Sequence, residues 1–171
     1  RSDAMALNID FASTFLDVGI KAGLRSDAMA LNIDFASTFL DVAGLPPSPE
    51  MQGRSMMPLL RGRVPADWRT SMYYRYYHDP GDHNTRAHYG VRTRTHKLIF
   101  FPTKQQWELF DLVSDPYELH NLYGAPGLGP LTASLTAELV RLKKAVRDDD
   151  QFANDQFPNG VDGTVARLRG K

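Results

Sequence analysis

The sequence predicts an α+β fold, in which a small antiparallel β-sheet of about four strands packs against one long C-terminal helix. Three observations predict it. Runs of β-branched and aromatic residues with strand length lie between Met72 and Leu112, short turn-forming stretches separate these runs, and an apolar stripe with helical spacing follows Pro130. Because the strands form one group and the helix follows them, we expect the helix to cover one face of the sheet.

The strands are predicted from residue type and from the turns between them. The run GVRTRTHKLIFF, which starts at Gly90, is interpreted as one strand, and Trp107 to Leu112 as its neighbour. The short polar stretch from Pro102 to Gln106 is typical of a hairpin connection. Beyond the second strand, Ser114-Asp115-Pro116 supplies turn chemistry, so Asp111 and Asp115 are expected to set the turn rather than to act as an acid and base pair.

The long helix is predicted from apolar residues three and four positions apart, at Leu131, Leu135, Leu139, Leu142 and Val146. The acidic run Asp148-Asp149-Asp150 follows this stripe. We interpret the run as a solvated helix end rather than as a metal site, because hard cations need several converging oxygen ligands.

An exact repeat occupies the N-terminal part, since RSDAMALNIDFASTFLDV spans Arg1 to Val18 and again Arg25 to Val42. Two copies are too few for a solenoid, which needs about three to bury a continuous core. We interpret the second copy as native. The first is either a recent duplication or an artefact of how the sequence was cloned or assembled, two origins that the repeat itself does not distinguish, and we expect it to add no chemistry. In the second copy, Asp34 is predicted to cap a helix from Phe35 to Val42, which Gly44 closes.

Composition excludes some classes of partner. The chain of 171 residues has 20 basic and 20 acidic residues, so no net charge draws it to nucleic acid or to an acidic membrane. The apolar runs are too short to span a bilayer, and the sequence contains no cysteine. We therefore predict neither nucleic acid nor membrane as a partner.

One ordered series of motifs resembles a known family. GVRT, KLI, WELFDL, SDP, YEL and NLYG follow one another between Ala87 and Gly124. Upstream lie AGLPPSPEMQGRSMMPLLRG from Ala43 to Gly62, the pair Trp68 and Arg69, and MYYRYYH from Met72 to His78. The series resembles the C-terminal region of formylglycine-dependent sulfatases, which are arylsulfatase-like members of the alkaline phosphatase superfamily. The resemblance covers the chain from about Gly19 to about Asp150.

The resemblance implies hydrolysis of sulfate esters by a formylglycine beside a calcium ion. The formylglycine arises from the first residue of a C-x-P-x-R or S-x-P-x-R motif, and this sequence has neither motif. We therefore nominate no catalytic residue and no metal ligand, and we expect formylglycine and calcium in a full-length parent, with no cofactor in this chain. The chain is interpreted as a C-terminal fragment. We expect the parent protein to be a sulfatase and the fragment alone to be inactive, and whether this chain should be called an enzyme stays open.

The resemblance also implies a domain organisation. Residues 1–24 would be the duplicated segment with its junction, and residues 25–62 a helical remnant at the end of the larger sulfatase α/β domain. Residues 63–150 would form the sulfatase C-terminal subdomain, and residues 151–171 an irregular tail.

The expected partners follow from this organisation. They are the N-terminal sulfatase domain and a sulfated carbohydrate substrate, and the apolar face of the helix from Phe35 to Val42 favours self-association when uncovered. Family resemblance implies a periplasmic or extracellular location. The alternative is a noncatalytic carbohydrate-binding or interaction module derived from a sulfatase tail.

The candidate site residues lie in YYRYYHDPGDHNTRAHYG, from Tyr73 to Gly90. On the resemblance, this loop reaches the active-site mouth, so His83, Arg86 and His88 would contact the sulfated sugar. For His88 a structural role stays open as the alternative. A zinc site is disfavoured because the histidine spacing is loose and no cysteine accompanies it. The four tyrosines at the start of this segment are interpreted as strand residues rather than as a sugar-stacking platform.

Overall fold

The computed structural model describes residues 23–81 and 84–153. The chain divides into two compact units with the boundary between Thr70 and Ser71. The first copy of the repeat and the tail beyond Ala153 lie outside the described residues. The elements, in chain order, are α1 (Asp34–Val42), α2 (Met57–Leu60), β1 (Ser71–Tyr76), β2 (His88–Thr93), β3 (His96–Phe101), β4 (Gln106–Asp111) and α3 (Gly129–Ala145).

In the first unit, Asp34 is the first residue of α1, so the prediction that it caps the helix is wrong. Its side chain is fully buried and accepts hydrogen bonds from the backbone N–H groups of Leu31 and Arg54, each at 2.8 Å. The Arg69 guanidinium binds both of its carboxylate oxygens. These donors take up the oxygens that would otherwise bond the first turn of the helix, and they fix Asp34 inside the unit.

The end of α1 agrees with the prediction. Gly44 has a φ of +68°, a left-handed conformation that glycine adopts without a steric penalty. Phe35 and Val42 pack against the core of this unit, whereas Phe39 is 46% exposed. The apolar stripe of α1 is therefore covered along only part of its width. The buried core consists of Met56, Met57, Leu59, Leu60 and Trp68.

The second unit holds a four-stranded antiparallel sheet with strand order β1-β2-β3-β4. The run that begins at Gly90 forms two strands rather than the single strand predicted, because the chain turns at Arg94 and Thr95. The Thr93 hydroxyl accepts hydrogen bonds from the backbone N–H groups of Thr95 and His96 at 3.3 Å and 2.9 Å, and it donates one to the His96 carbonyl. A threonine side chain thus stabilises a turn that the continuous β-branched pattern concealed.

Helix α3 covers one face of this sheet, as predicted. Leu135 and Leu139 are 5% and 2% exposed and pack against Val91, Leu98 and Leu109 from the three strands β2, β3 and β4. The helix begins two residues before the predicted stripe, since Pro130 fits the first turn, where no N–H donor is needed. The fold is therefore the predicted α+β arrangement. No helix among the described residues is long and apolar enough to cross a membrane.

The prediction that the acidic run Asp148-Asp149-Asp150 is a solvated helix end is wrong for Asp148. The Asp148 side chain is only 5% exposed, and its two oxygens lie 2.8 and 2.9 Å from Nη1 of Arg75 on β1. It also accepts a hydrogen bond from the Tyr73 hydroxyl. Asp149 is exposed, and Asp150 is half exposed and pairs with Lys143. The run thus fastens the chain after α3 to the first strand.

The turn beyond β4 is set by the two predicted aspartates. Asp111 accepts hydrogen bonds from the backbone N–H groups of Val113 and Ser114, and Asp115 accepts one from the N–H of His120. These bonds hold the pKa of each carboxyl group below its ordinary value. Both side chains act in the local turn, as expected.

Candidate functional site

The candidate site lies at the end of the sheet where β1 ends, β2 begins and β3 ends. The antiparallel register places Tyr76 opposite His88 and Tyr89 opposite Phe100, so Tyr76, His88 and Phe101 belong to the same end. The side chains of these three residues meet on the sheet face opposite α3. All described residues of the site belong to the second unit.

His88 is framed by aromatic rings. Its ring centroid lies 5.8 Å from that of Tyr76 in a stacked arrangement, 5.4 Å from Phe101 and 5.9 Å from the edge-on ring of Tyr74. Tyr76 lies close to the backbone of Gly81, where a Cβ atom would be 1.9 Å from its hydroxyl oxygen, so only glycine permits this approach. The rings fix the plane of the imidazole.

A backbone carbonyl sets the protonation of the His88 ring. The Nδ1 atom lies 2.8 Å from the Arg86 carbonyl oxygen. A carbonyl oxygen can only accept, so Nδ1 must carry the hydrogen. In the neutral ring Nε2 is then a hydrogen-bond acceptor, and in the imidazolium it is a donor. Nε2 makes no hydrogen bond to any residue that the structure describes.

Arg86, whose carbonyl holds this ring, has a partly exposed guanidinium. Its Nη1 donates to Oδ1 of Asp79 at 2.9 Å, and its side chain is 40% exposed. Within the described part of the chain the other guanidinium N–H groups make no hydrogen bond. A planar guanidinium with free donors suits the oxygens of a sulfate group.

Asp79 is 11% exposed and receives several donors. The Thr103 hydroxyl, in the turn after β3, donates to Oδ2 at 2.7 Å. Burial raises the pKa of Asp79, but hydrogen bonding from Thr103, Arg86 and the Ala87 backbone outweighs burial and holds the pKa below its ordinary value. The carboxylate is therefore an anion that compensates the charge of Arg86.

The structure describes two of the three predicted site residues. Arg86 and His88 lie together at this end of the sheet, joined through the Arg86 carbonyl. His83 lies outside the described residues. Tyr73, Tyr74 and Tyr76 are half-buried residues of β1, as predicted, whereas the prediction is wrong for Tyr77, which lies just beyond the end of the strand.

The sequence reasoning missed Asp79, Phe101 and Thr103. Asp79 precedes a proline in a loop, a position typical of turns, and this pattern does not distinguish a turn residue from an arginine partner. Phe101 and Thr103 reach the site only because β3 pairs with β2 in this register.

The described residues supply no donor set for a metal ion. Among them, no group of three or more histidine, aspartate or glutamate side chains lies close enough to hold one. The calcium and formylglycine that the resemblance implies do not fit these residues.

Comparisons with known proteins agree with this architecture. The family described as N-sulphoglucosamine sulphohydrolase, C-terminal, matches residues 18–145. A curated N-acetylglucosamine-6-O-sulfatase from Bacteroides thetaiotaomicron is 41% identical over 152 residues, which are 87% of this chain and 23% of that relative. The chain therefore spans less than a quarter of the length of this relative.

Solved structures also match this chain over part of their length. A protein solved in complex with its substrate D-glucosamine-2-N,6-O-disulfate is 40% identical with a TM-score of 0.74, covering 78% of this chain and 28% of that chain. A phosphonate monoester hydrolase from Silicibacter pomeroyi is 25% identical with a TM-score of 0.66, covering 77% and 28%. In both, the matched region is a minor part of a longer chain.

Proposed function

This chain belongs to the N-sulphoglucosamine sulphohydrolase C-terminal family, and from that premise we propose that it forms the C-terminal part of a sulfatase acting on a sulfated carbohydrate. The matched relative is a sulfatase of N-acetylglucosamine, and the matched structure holds a disulfated glucosamine. Sulfated glucosamine is therefore the substrate class that we favour.

His88 carries the proposal. Its Nδ1 is engaged by the Arg86 carbonyl, its ring is framed by Tyr74, Tyr76 and Phe101, and Nε2 has no partner among the described residues. A fixed imidazole with one unused nitrogen can hydrogen-bond a sugar hydroxyl or a sulfate oxygen. The aromatic frame prevents the ring from turning away.

Arg86 supplies charge to the same site. A sulfate ester carries a negative charge, and the free N–H groups of a guanidinium bind such oxygens with charge-assisted hydrogen bonds. The hydrogen bond to Asp79 uses Nη1 of Arg86 and fixes that edge of the guanidinium. The other N–H groups remain available to a sulfate oxygen. Together, Arg86 and His88 would recognise the sulfated end of the sugar.

Catalysis itself would belong to other parts of the enzyme. The sequence contains no cysteine and no S-x-P-x-R motif, so these residues supply no formylglycine precursor. Calcium and formylglycine would be held by the rest of a full-length protein. We expect the 171-residue chain alone to release no sulfate from a sulfate ester.

The test is binding of D-glucosamine-2-N,6-O-disulfate to the purified chain, measured by titration calorimetry or NMR. Replacing His88 with alanine removes one hydrogen bond to a charged group, so we expect affinity to fall about tenfold. His120→Ala is the matched control, since that imidazole is 78% exposed on the loop after β4 and should not affect binding. D-glucosamine without sulfate should bind much more weakly than the disulfate.

Equal affinity of the wild-type chain and His88→Ala would contradict the proposal. A chain that binds the disulfate and unfolds cooperatively as a monomer would favour the alternative, a noncatalytic carbohydrate-binding module. That alternative draws support from the second unit, whose α3 and sheet share one buried core. Self-association of the chain through the partly exposed apolar face of α1 would favour the first hypothesis, in which the chain is one part of a longer sulfatase.

A further inference from the structure

Asp79 links segments that are distant in sequence at the His88 end of the sheet. It binds Arg86, which leads into β2, and Thr103, which lies in the turn between β3 and β4. Through one carboxylate, the loop after β1 is fastened both to the start of β2 and to the hairpin beyond β3.

Arg86 lies between Asp79 and His88 in a chain of hydrogen bonds. The Arg86 carbonyl accepts a hydrogen bond from Nδ1 of His88 at 2.8 Å, so the position of this carbonyl helps to fix the imidazole.

The Arg86 side chain reinforces this arrangement. Its guanidinium donates to Oδ1 of Asp79 at 2.9 Å, so the carboxylate restrains the residue whose carbonyl holds His88. The carbonyl that holds His88 therefore depends on Asp79, although the structure shows no direct contact between Asp79 and His88.

We propose that Asp79 is a positioning residue for His88 and acts through Arg86. It keeps the hydrogen on Nδ1 and thereby leaves Nε2 as the ring nitrogen that meets the ligand. The inference rests on the proposed function only in taking that ligand to be a sulfated sugar.

The test replaces Asp79 with asparagine and reads the His88 tautomer by ¹⁵N NMR of the imidazole in the 171-residue chain, at a pH where the ring is neutral. An amide of the same shape carries no negative charge, so its hydrogen bond to the Arg86 guanidinium loses the charge assistance of the carboxylate. We expect one tautomer with the hydrogen on Nδ1 in the wild-type chain and a mixture of both tautomers in Asp79→Asn. Affinity for D-glucosamine-2-N,6-O-disulfate should fall about tenfold.

Asp67→Asn is the matched control. It changes another aspartate that pairs with an arginine, at 2.8 Å from Arg54, in the other unit. This variant should keep both the His88 tautomer and the affinity of the wild-type chain. If Asp79→Asn fails to fold, Thr103→Val removes one bond from the same carboxylate and should shift the tautomer in the same direction by a smaller amount.

The two measurements separate this inference from the proposed function. An unchanged His88 tautomer in a folded Asp79→Asn chain would overturn the positioning role. A shifted tautomer with unchanged affinity would uphold positioning and count against sugar recognition by His88. Loss of affinity with an unchanged tautomer would also overturn positioning, because Asp79 would then act by a route that bypasses His88.

Discussion

Two aspartate–arginine pairs, one in each unit of the chain, use the same chemistry in different surroundings. In the first unit, Asp34 is 0% exposed and Arg69 is 13% exposed, and the carboxylate is saturated by backbone and guanidinium donors. In the second unit, Asp79 is 11% exposed and Arg86 is 40% exposed.

The difference in exposure predicts different roles for the two pairs. A guanidinium enclosed with its carboxylate has no room for a ligand, and removing one partner leaves a buried charge without compensation. A guanidinium that is partly exposed contributes little to stability but retains donors for an anion. On this basis we expect Asp34 to hold the first unit together and Arg86 to be available to a ligand.

The largest effect is expected when the enclosed pair is broken. Asp34→Ala leaves the Arg69 guanidinium without its carboxylate and two backbone N–H groups without an acceptor. We expect the free energy of unfolding of the first unit to fall by about 3 to 5 kcal/mol. Urea denaturation of the 171-residue chain measures this loss.

Asp67→Ala is the control in the same unit, because its pair with Arg54 is exposed by 78% and 37%. Its cost should stay within about 1 kcal/mol. A similar loss for Asp34→Ala and Asp67→Ala would mean that burial does not distinguish the two kinds of pair.

A pair of intermediate effect joins Arg75 to Asp148, which are 7% and 5% exposed. Asp148→Asn keeps the shape but weakens charge-assisted hydrogen bonds from Arg75 and Tyr73, so we expect a loss of about 1.5 to 3 kcal/mol. Denaturant unfolding of the second unit measures it. Asp149→Asn, at an exposed neighbouring position, should cost far less.

The same pair predicts a pH dependence. Burial raises the pKa of Asp148, but hydrogen bonds from Tyr73 and Arg75 outweigh burial and hold the pKa below its ordinary value. The unfolded chain therefore binds this proton at higher pH than the folded chain does. The stabilisation is complete above the ordinary pKa of about 3.9 and is lost as pH falls through the lower folded value. As pH falls, the free energy of unfolding should decrease less in Asp148→Asn than in the wild-type chain. Identical pH dependence of the two proteins would contradict this prediction.

The smallest effect on stability is expected at the exposed pair. Arg86→Ala should change the free energy of unfolding by less than about 1 kcal/mol, because the guanidinium is 40% exposed. Affinity for D-glucosamine-2-N,6-O-disulfate should nevertheless fall about tenfold, through loss of charge-assisted bonds. Arg141→Ala is the matched control, since that side chain is 62% exposed on α3 and should alter neither property. A large loss of stability without a loss of affinity would place Arg86 among the structural pairs.

Much of the fold could be predicted from local pattern. The leucine spacing located α3, and the turn chemistry of Asp111 and Asp115 located the turn after β4. The hairpin between β2 and β3 was missed because its residues are β-branched or charged and carry no glycine or proline signal. Its turn depends on the Thr93 hydroxyl, a contact that propensity does not encode.

The candidate site was predictable only in part. Arg86 and His88 belong to a motif that resembles sulfatases, so they could be nominated from the sequence. Asp79 and Thr103 are 24 residues apart and meet through a single hydrogen bond. No spacing rule connects such positions, and Asp148 was likewise misread, since its partners lie on a strand more than 70 residues upstream.

The sequence by itself determined the class of the second unit, the position of its helix and the family that its motifs resemble, because periodicity and turn chemistry act over a few residues. Only the tertiary structure decided which charged groups are enclosed. Asp34, Asp79 and Asp148 look alike in sequence, yet each receives donors from a different element or loop. The physical reason is that burial and pairing depend on contacts between segments far apart in the chain, and these contacts fix which arginine is enclosed and which one keeps a partly exposed guanidinium.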